Sequence, residues 1–245
     1  YEGPRCEASG ARSPRSIRRG ACPLVWACRP DSFCARPPDA GRVGDGGSAL
    51  GRHARCVMTT AGVLLAAGQS CRFGDDDKLL ATYKGRPLVS YAADAMRAAN
   101  LDLRFAVVSN REVESELAGF ELVAPQDGEV SLSASLRAGI RAADRAGAER
   151  VLVALGDMPG MSQDHFDQLI RRCSQETPSA TRSGSGPGVP ACFPRSSFSR
   201  LMGLSGDVGG RGLLRDLPNE SVVQMHADAL LDIDYHDQPG IRNIV

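Results

Sequence analysis

The sequence predicts an α/β fold on a mostly parallel sheet, and three observations carry that prediction. Strand-like runs at residues 63–67, 104–108 and 151–155 are short and largely apolar, as strands buried on both faces must be. Segments with apolar residues at helical spacing separate them, which is the pattern of βαβ units. The first and third runs stop at polar loops, and open α/β sheets bind ligands outside the carboxyl ends of their strands.

Composition narrows the classes. The 245 residues carry 29 basic and 29 acidic side chains, a balance that argues against a dedicated nucleic-acid binder. No apolar run approaches the roughly 18–20 residues that span a bilayer, so no membrane segment is expected. The charge is unevenly spread. Residues 1–57 hold ten Arg against five acids, five of the eight Cys, and many Gly, Pro and Ser, with no helical or strand period. Cys22, Cys28 and Cys34 stand six apart, which is not the C-x-x-C spacing of a zinc site. The chain begins with Tyr1, whereas Met58 directly precedes the first expected strand. Residues 1–57 are therefore expected to be a disordered or non-native N-terminal extension, and residues 58–245 the functional domain. Cys71, Cys173 and Cys192 beyond it suit a reduced, cytoplasmic protein better than a disulfide framework.

The first loop holds the most chemistry. After Leu65, the small residues Ala66, Ala67 and Gly68 close the strand and let an anion approach backbone N–H groups. Ser70, Arg72, Gly74 and Lys78 follow; Arg72 offers a planar fork for phosphate oxygens and Lys78 a mobile point charge. Neither G-x-x-x-x-G-K-[ST] nor G-x-G-x-x-G is present. On composition alone the loop could equally be a solvated surface turn.

Next, Pro87 is placed at the first position of a helix running to Asn100, with Leu88, Tyr91, Ala92, Ala95 and Met96 on its apolar face. A short helix over 112–118 and a strand near 121–124 follow the second strand. Ser131, Ser133 and Ser135 line the start of a helix whose apolar stripe is Leu132, Leu136, Ile140 and Ala143. The strand at 151–155 ends in Gly156-Asp157-Met158-Pro159, aiming Asp157 at the crevice beside the first loop. A carboxylate there suits Mg²⁺, a hard cation that prefers oxygen ligands; a plain turn aspartate is the alternative. Ser162 caps a helix burying Phe166, Leu169, Ile170 and Cys173. Residues 177–188 read as a loop or edge strand over the substrate side. Last come a helix over 195–202, a Gly-rich turn around Gly206, Asp207, Gly209 and Arg211, and strands at 221–225 and 230–233. His53, His165, His226 and His236 lack ligand spacing and read as structural or solvated.

Leu-Ala-Ala-Gly-x-Ser-x-Arg-Phe-Gly with the following Asp-Lys-Leu-Leu, together with Gly-Asp-Met-Pro, resembles the molybdenum cofactor cytidylyltransferases and guanylyltransferases. The likeness extends over about residues 60–240. It implies a single Rossmann-like three-layer domain of the nucleotide-diphospho-sugar transferase type. It also implies a Mg²⁺- or Mn²⁺-dependent transfer of CMP from CTP to the phosphate of molybdopterin, with release of pyrophosphate. By the same resemblance Arg72, Lys78 and Asp157 are catalytic, and Ser133 lies with the first loop along the nucleotide. Asp157 and Asp234 would be the metal carboxylates, with Asp232 in reserve. Pro190, Gly206, Asp207, Gly209 and Arg211 would face the acceptor, although Val189 stands where the family carries His. Ala67 favours CTP, since the guanylyl enzymes usually carry Gly there. GTP as donor, or a sugar or polyol phosphate as acceptor, remains open within the class. A non-catalytic nucleotide-binding module delivering cofactor to a molybdenum hydroxylase is the reading from another class.

Overall fold

The computed structural model describes residues 58–68, 77–125, 131–183, 186–206, 209–225 and 241–242. These belong to one compact unit, Ala54–Val245. The expected extension at 1–57 and the expected strand at 230–233 lie outside the described residues.

Seven strands form the main sheet in the order β5-β4-β1-β6-β8-β7-β9. They are β1 (Thr60–Ala66), β4 (Leu103–Val108), β5 (Glu121–Val123), β6 (Arg150–Leu155), β7 (Ser179–Ser183), β8 (Gly186–Pro194) and β9 (Val222–Gln224). β8 alone runs against the rest, pairing antiparallel with both β6 and β7. A small antiparallel sheet of two-residue strands, β2 (Thr82–Tyr83), β3 (Arg86–Pro87) and β10 (Ile241–Arg242), stands beside it. Sequence pattern did not announce that sheet, because two-residue strands have no period to read. Its tight turn places Lys84 at φ 46° and Gly85 at φ 88°. Pro87 is accordingly the N-cap of the first helix rather than its first residue.

Among the described residues five α-helices accompany the sheet: α1 (Leu88–Ala98), α2 (Arg111–Glu114), α3 (Leu132–Arg145), α4 (Gln163–Arg172) and α5 (Phe198–Met202). α1 and α4 lie on one face, where Val89, Met96, Phe166 and Leu169 meet Leu64, Ala106 and Leu152. α3 and α5 lie on the other, where Ile140, Ala143 and Leu201 meet Val63, Phe105 and Val153. Alternate residues of one strand thus serve opposite cores, so β1 is buried along its whole length. This is the expected three-layer α/β arrangement. Gly139 brings α3 against β1; a methyl group there would drive into Val63 Cγ1 and come within 3.2 Å of Val107 Cγ2.

Two expectations are corrected. The helix at 112–118 is only the four-residue α2, capped by Asn110, whose side chain accepts from Glu112 N. Within the stretch 177–188, expected as a loop or edge strand, Ser179–Ser183 form β7, which lies inside the sheet between β8 and β9. Ser179 and Thr181 are buried there because both hydroxyls are hydrogen-bonded. Ser179 Oγ donates to Leu169 O at 2.6 Å and Thr181 Oγ1 to Pro190 O at 2.7 Å. Among the described residues no helix is long and apolar enough to cross a membrane.

Candidate active site at the β1–β6 edge

The chain builds β1, β4 and β5 outward to one side, then returns through α3 to add β6 on the other side of β1. The strand order therefore reverses between β1 and β6, the place where open sheets part their loops to leave a crevice. The two strand ends are level there. Leu65 is in register with Leu155, and Gly156 N donates to Leu65 O at 2.9 Å. A side chain on Gly156 would begin 3.3 Å from both Leu79 Cδ2 and Val89 Cγ2, so those side chains would have to give way slightly to admit it. Leu65, Ala66 and Ala67 are buried, and Gly68 is exposed where the loop leaves the sheet. Ser70, Arg72 and Gly74 lie outside the described residues.

Lys78 and Asp157, from the two loops, meet here. The Lys78 ammonium stands 2.9 Å from Asp157 Oδ2, with 10% and 24% of the respective side chains exposed. Asp157 Oδ1 is buried and has no hydrogen-bond partner. Such an orphaned carboxylate oxygen carries a desolvation cost that a ligand can relieve. Its chemistry fits a hard divalent cation, which takes oxygen donors and completes its shell with water and phosphate oxygens. Among the described residues no three His, Cys, Asp or Glu side chains gather into a cage. Asp234 and Asp232 lie outside them, leaving Asp157 as the described donor.

Pattern reading missed what holds Lys78. It opens a 3₁₀ turn, Lys78–Leu80, capped by Asp77, whose Oδ1 accepts from Leu79 N at 3.0 Å. The other oxygen, Oδ2, accepts from Asn110 Nδ2 at 2.9 Å. Asn110 follows β4, so it ties the turn to the neighbouring strand end. Its place just past a strand at the carboxyl edge was the one signal that could have singled it out.

At the start of α3, Ser133 is fully buried. Its hydroxyl lies 3.2 Å from Ser131 Oγ and accepts from Arg137 Nη1 at 3.3 Å. Ser131 caps α3 by accepting from Ala134 N, and Ser135 Oγ donates to Ser131 O. Leu132, expected on the apolar stripe, is 40% exposed, yet its Cδ2 lies 3.1 Å from where a side chain on Gly209 would begin. Arg137 Nη1 also donates to Leu204 O at 2.6 Å, fastening the loop that leads to Gly206 and Gly209 onto α3. Gly206 adopts φ 67°, a conformation glycine takes without strain. Arg211 reaches β8: a side chain on Gly188 would begin 3.8 Å from its Nη2. Pro190 is buried two residues farther along β8. The structure thus brings Gly209 and Arg211 to the walls formed by α3 and β8; Asp207 lies outside the described residues.

His165, on α4, supports that wall. Its Nε2 lies 2.8 Å from Thr181 Oγ1. The single hydroxyl proton of Thr181 goes to Pro190 O, so the imidazole must donate through Nε2–H. Burial holds its pKa below the usual histidine range, keeping the ring neutral.

Three comparisons place this geometry among known proteins. Residues 62–222 match the MobA-like NTP transferase domain. Purine catabolism protein PucB of Bacillus subtilis is 30% identical over 195 residues, spanning 75% of this chain and 94% of that one. A probable molybdenum cofactor guanylyltransferase of Pyrococcus horikoshii is 32% identical over 117 residues, 46% of this chain and 56% of that one. Among solved structures, a Methanothermobacter nucleotidyl transferase superposes with a TM-score of 0.62 at 25% identity, covering 73% of this chain and 93% of the other. With the strand-order reversal, the level β1 and β6 ends and the Lys78–Asp157 pair, these matches make the chain a nucleotidyltransferase of the MobA-like NTP transferase family.

Proposed function

We propose that this nucleotidyltransferase transfers CMP from CTP to the phosphate of a molybdopterin-type cofactor, releasing pyrophosphate. The observation that carries the site assignment is Asp157: one oxygen held by Lys78, the other buried and unpartnered at the strand-order reversal. An acceptor phosphate oxygen attacks the α-phosphorus, and the bond to the β-phosphate oxygen breaks with its electron pair leaving on pyrophosphate. Such a reaction asks the protein for positioning and charge neutralisation rather than a covalent nucleophile. Asp157, with Asp234 as second carboxylate, would hold Mg²⁺ or Mn²⁺, which supplies charge neutralisation when bound. Lys78, with Arg72, neutralises the leaving phosphates. The 65–68 backbone receives the nucleotide; Ser133 steadies the α3 end of its site through Ser131 and Arg137. Pro190, Gly206, Gly209 and Arg211 shape the acceptor side, with Asp207 between them in sequence.

Ala67 supports CTP as donor. The Pyrococcus relative, a probable molybdenum cofactor guanylyltransferase, supports GTP as the alternative donor. The deciding experiment measures pyrophosphate release with Mg²⁺ and each of CTP, GTP, ATP and UTP, with and without molybdopterin cofactor. It uses the full chain and, to test residues 58–245 as the catalytic domain, a chain starting at Met58. Release that needs both CTP and cofactor is expected from each. Preference for GTP moves the protein to the sister activity, and no release with any nucleotide from folded protein rejects the molybdenum acceptor.

A further inference from the structure

We infer that Lys78 is an internal stand-in for the metal on Asp157, so that divalent-cation binding waits on the nucleotide that draws the ammonium away. This rests on the proposed nucleotide and metal reading of the same site. The carboxylate has two oxygens with opposite situations: Oδ2 is 2.9 Å from the Lys78 ammonium, while Oδ1 is buried and unpartnered. A divalent cation on Oδ1 would share one carboxylate with that ammonium at a partly buried site. Like charges so placed repel strongly, because little solvent screens them. Without nucleotide, each cation therefore weakens the hold of the other.

The backbone of Lys78 cannot retreat to relieve this. Asp77 accepts from Leu79 N and from Asn110 Nδ2, Leu80 N donates to Asp77 O at 2.9 Å, and Leu79 is buried in the core. What can move is the four-carbon stem, with its three rotatable donors. Nucleotide phosphates give the ammonium another partner and cancel the repulsion. Metal and nucleotide then strengthen one another, and by linkage the coupling is reciprocal.

The test is Mn²⁺ binding, read from the electron paramagnetic resonance signal of the free ion, on the full-length wild type and the Lys78→Gln, Lys78→Met and Asp157→Asn variants. Each is titrated with and without a non-hydrolysable α,β-methylene analogue of CTP. Lys78→Gln keeps a donor for Oδ2 but no charge. It should bind Mn²⁺ without nucleotide at least tenfold more tightly than wild type, and Lys78→Met likewise. Wild type should gain at least tenfold on adding the analogue, and Asp157→Asn should lose tight binding in both states. Wild type that binds Mn²⁺ with analogue, beside neutral variants that gain nothing without it, overturns this inference and leaves the site reading standing. Asp157→Asn binding Mn²⁺ as wild type does overturns the site reading and the inference together. Should both neutral variants fail to fold, nuclear magnetic resonance of the wild-type Lys78 ammonium decides. Its signal should shift when the analogue is added before any metal; an unmoved signal overturns the inference.

Discussion

The β4-β1-β6 half of the sheet and the β8-β7-β9 half reach the same burial by different means. In the first, side chains of alternate residues fill two apolar cores, and the chemistry sits on loops beyond the strand ends. In the second, the polar side chains of Ser179 and Thr181 enter the sheet itself and are buried because each meets a partner, with His165 of α4 reaching Thr181. The first design leaves a preformed edge that can be lined with charges. The second makes the proposed acceptor wall depend on a few hydrogen bonds.

Substitutions should separate the two halves. The largest effect is expected at Asp157→Asn, which keeps shape and removes charge: pyrophosphate release should fall by about a thousandfold, with the thermal midpoint nearly unmoved in the same samples. Gly139→Leu, on the nucleotide side, should overpack α3 against Val63 and Val107 and cost about 3 kcal/mol or more, measured by urea unfolding. Thr181→Val leaves Pro190 O and His165 Nε2 without a partner and should cost about 1–3 kcal/mol. Because the damage falls on β8, steady-state kinetics should show the acceptor KM rising more than the nucleotide KM; equal rises would dissolve the contrast drawn here.

The smallest effect is a pH dependence. Burial lowers the His165 pKa in the folded protein, so below the unfolded value of about 6.5 the unfolded chain takes up a proton that the folded one refuses. Stability is thus full above that value and falls as pH drops through it toward the folded pKa. Unfolding curves from pH 7.5 to 5 should flatten in His165→Gln relative to wild type.

The same contrast explains what was legible in the sequence. β1, β6, α3 and α4 could be read directly, since their apolar period is undiluted and Ser131 and Ser162 announce the helix starts. The place of Asp157 at the carboxyl edge followed from the buried run before it, whereas its metal role rested on the likeness of Gly156-Asp157-Met158-Pro159 to the family motif. β7 could not be read that way, because Ser179, Thr181 and Arg182 look like loop residues until their partners across the sheet are known. Asn110 and Arg137 escaped for the same reason: each acts through a residue distant in sequence, at 33 and 67 positions respectively. Leu132 was drawn into a core it does not join, since a helix's first turn can overhang the sheet edge.

The reversed direction of β8 has a consequence for how such an enzyme can diversify. Val153 of β6 is in register with Ala191 of β8, so residues 186–190 continue past it toward the edge that carries Asp157. The end of β7 at Ser183 and the start of β8 at Gly186, paired with one another, therefore lie toward the edge that carries Asp157 rather than the opposite one. On the proposed reading, changes at that end of β7 and β8 would reshape the acceptor wall and leave the nucleotide loop, which follows β1 three strands away from β7, untouched. Under the proposed assignment, a single backward strand would make acceptor choice a module that selection can exchange without relearning how to hold a triphosphate.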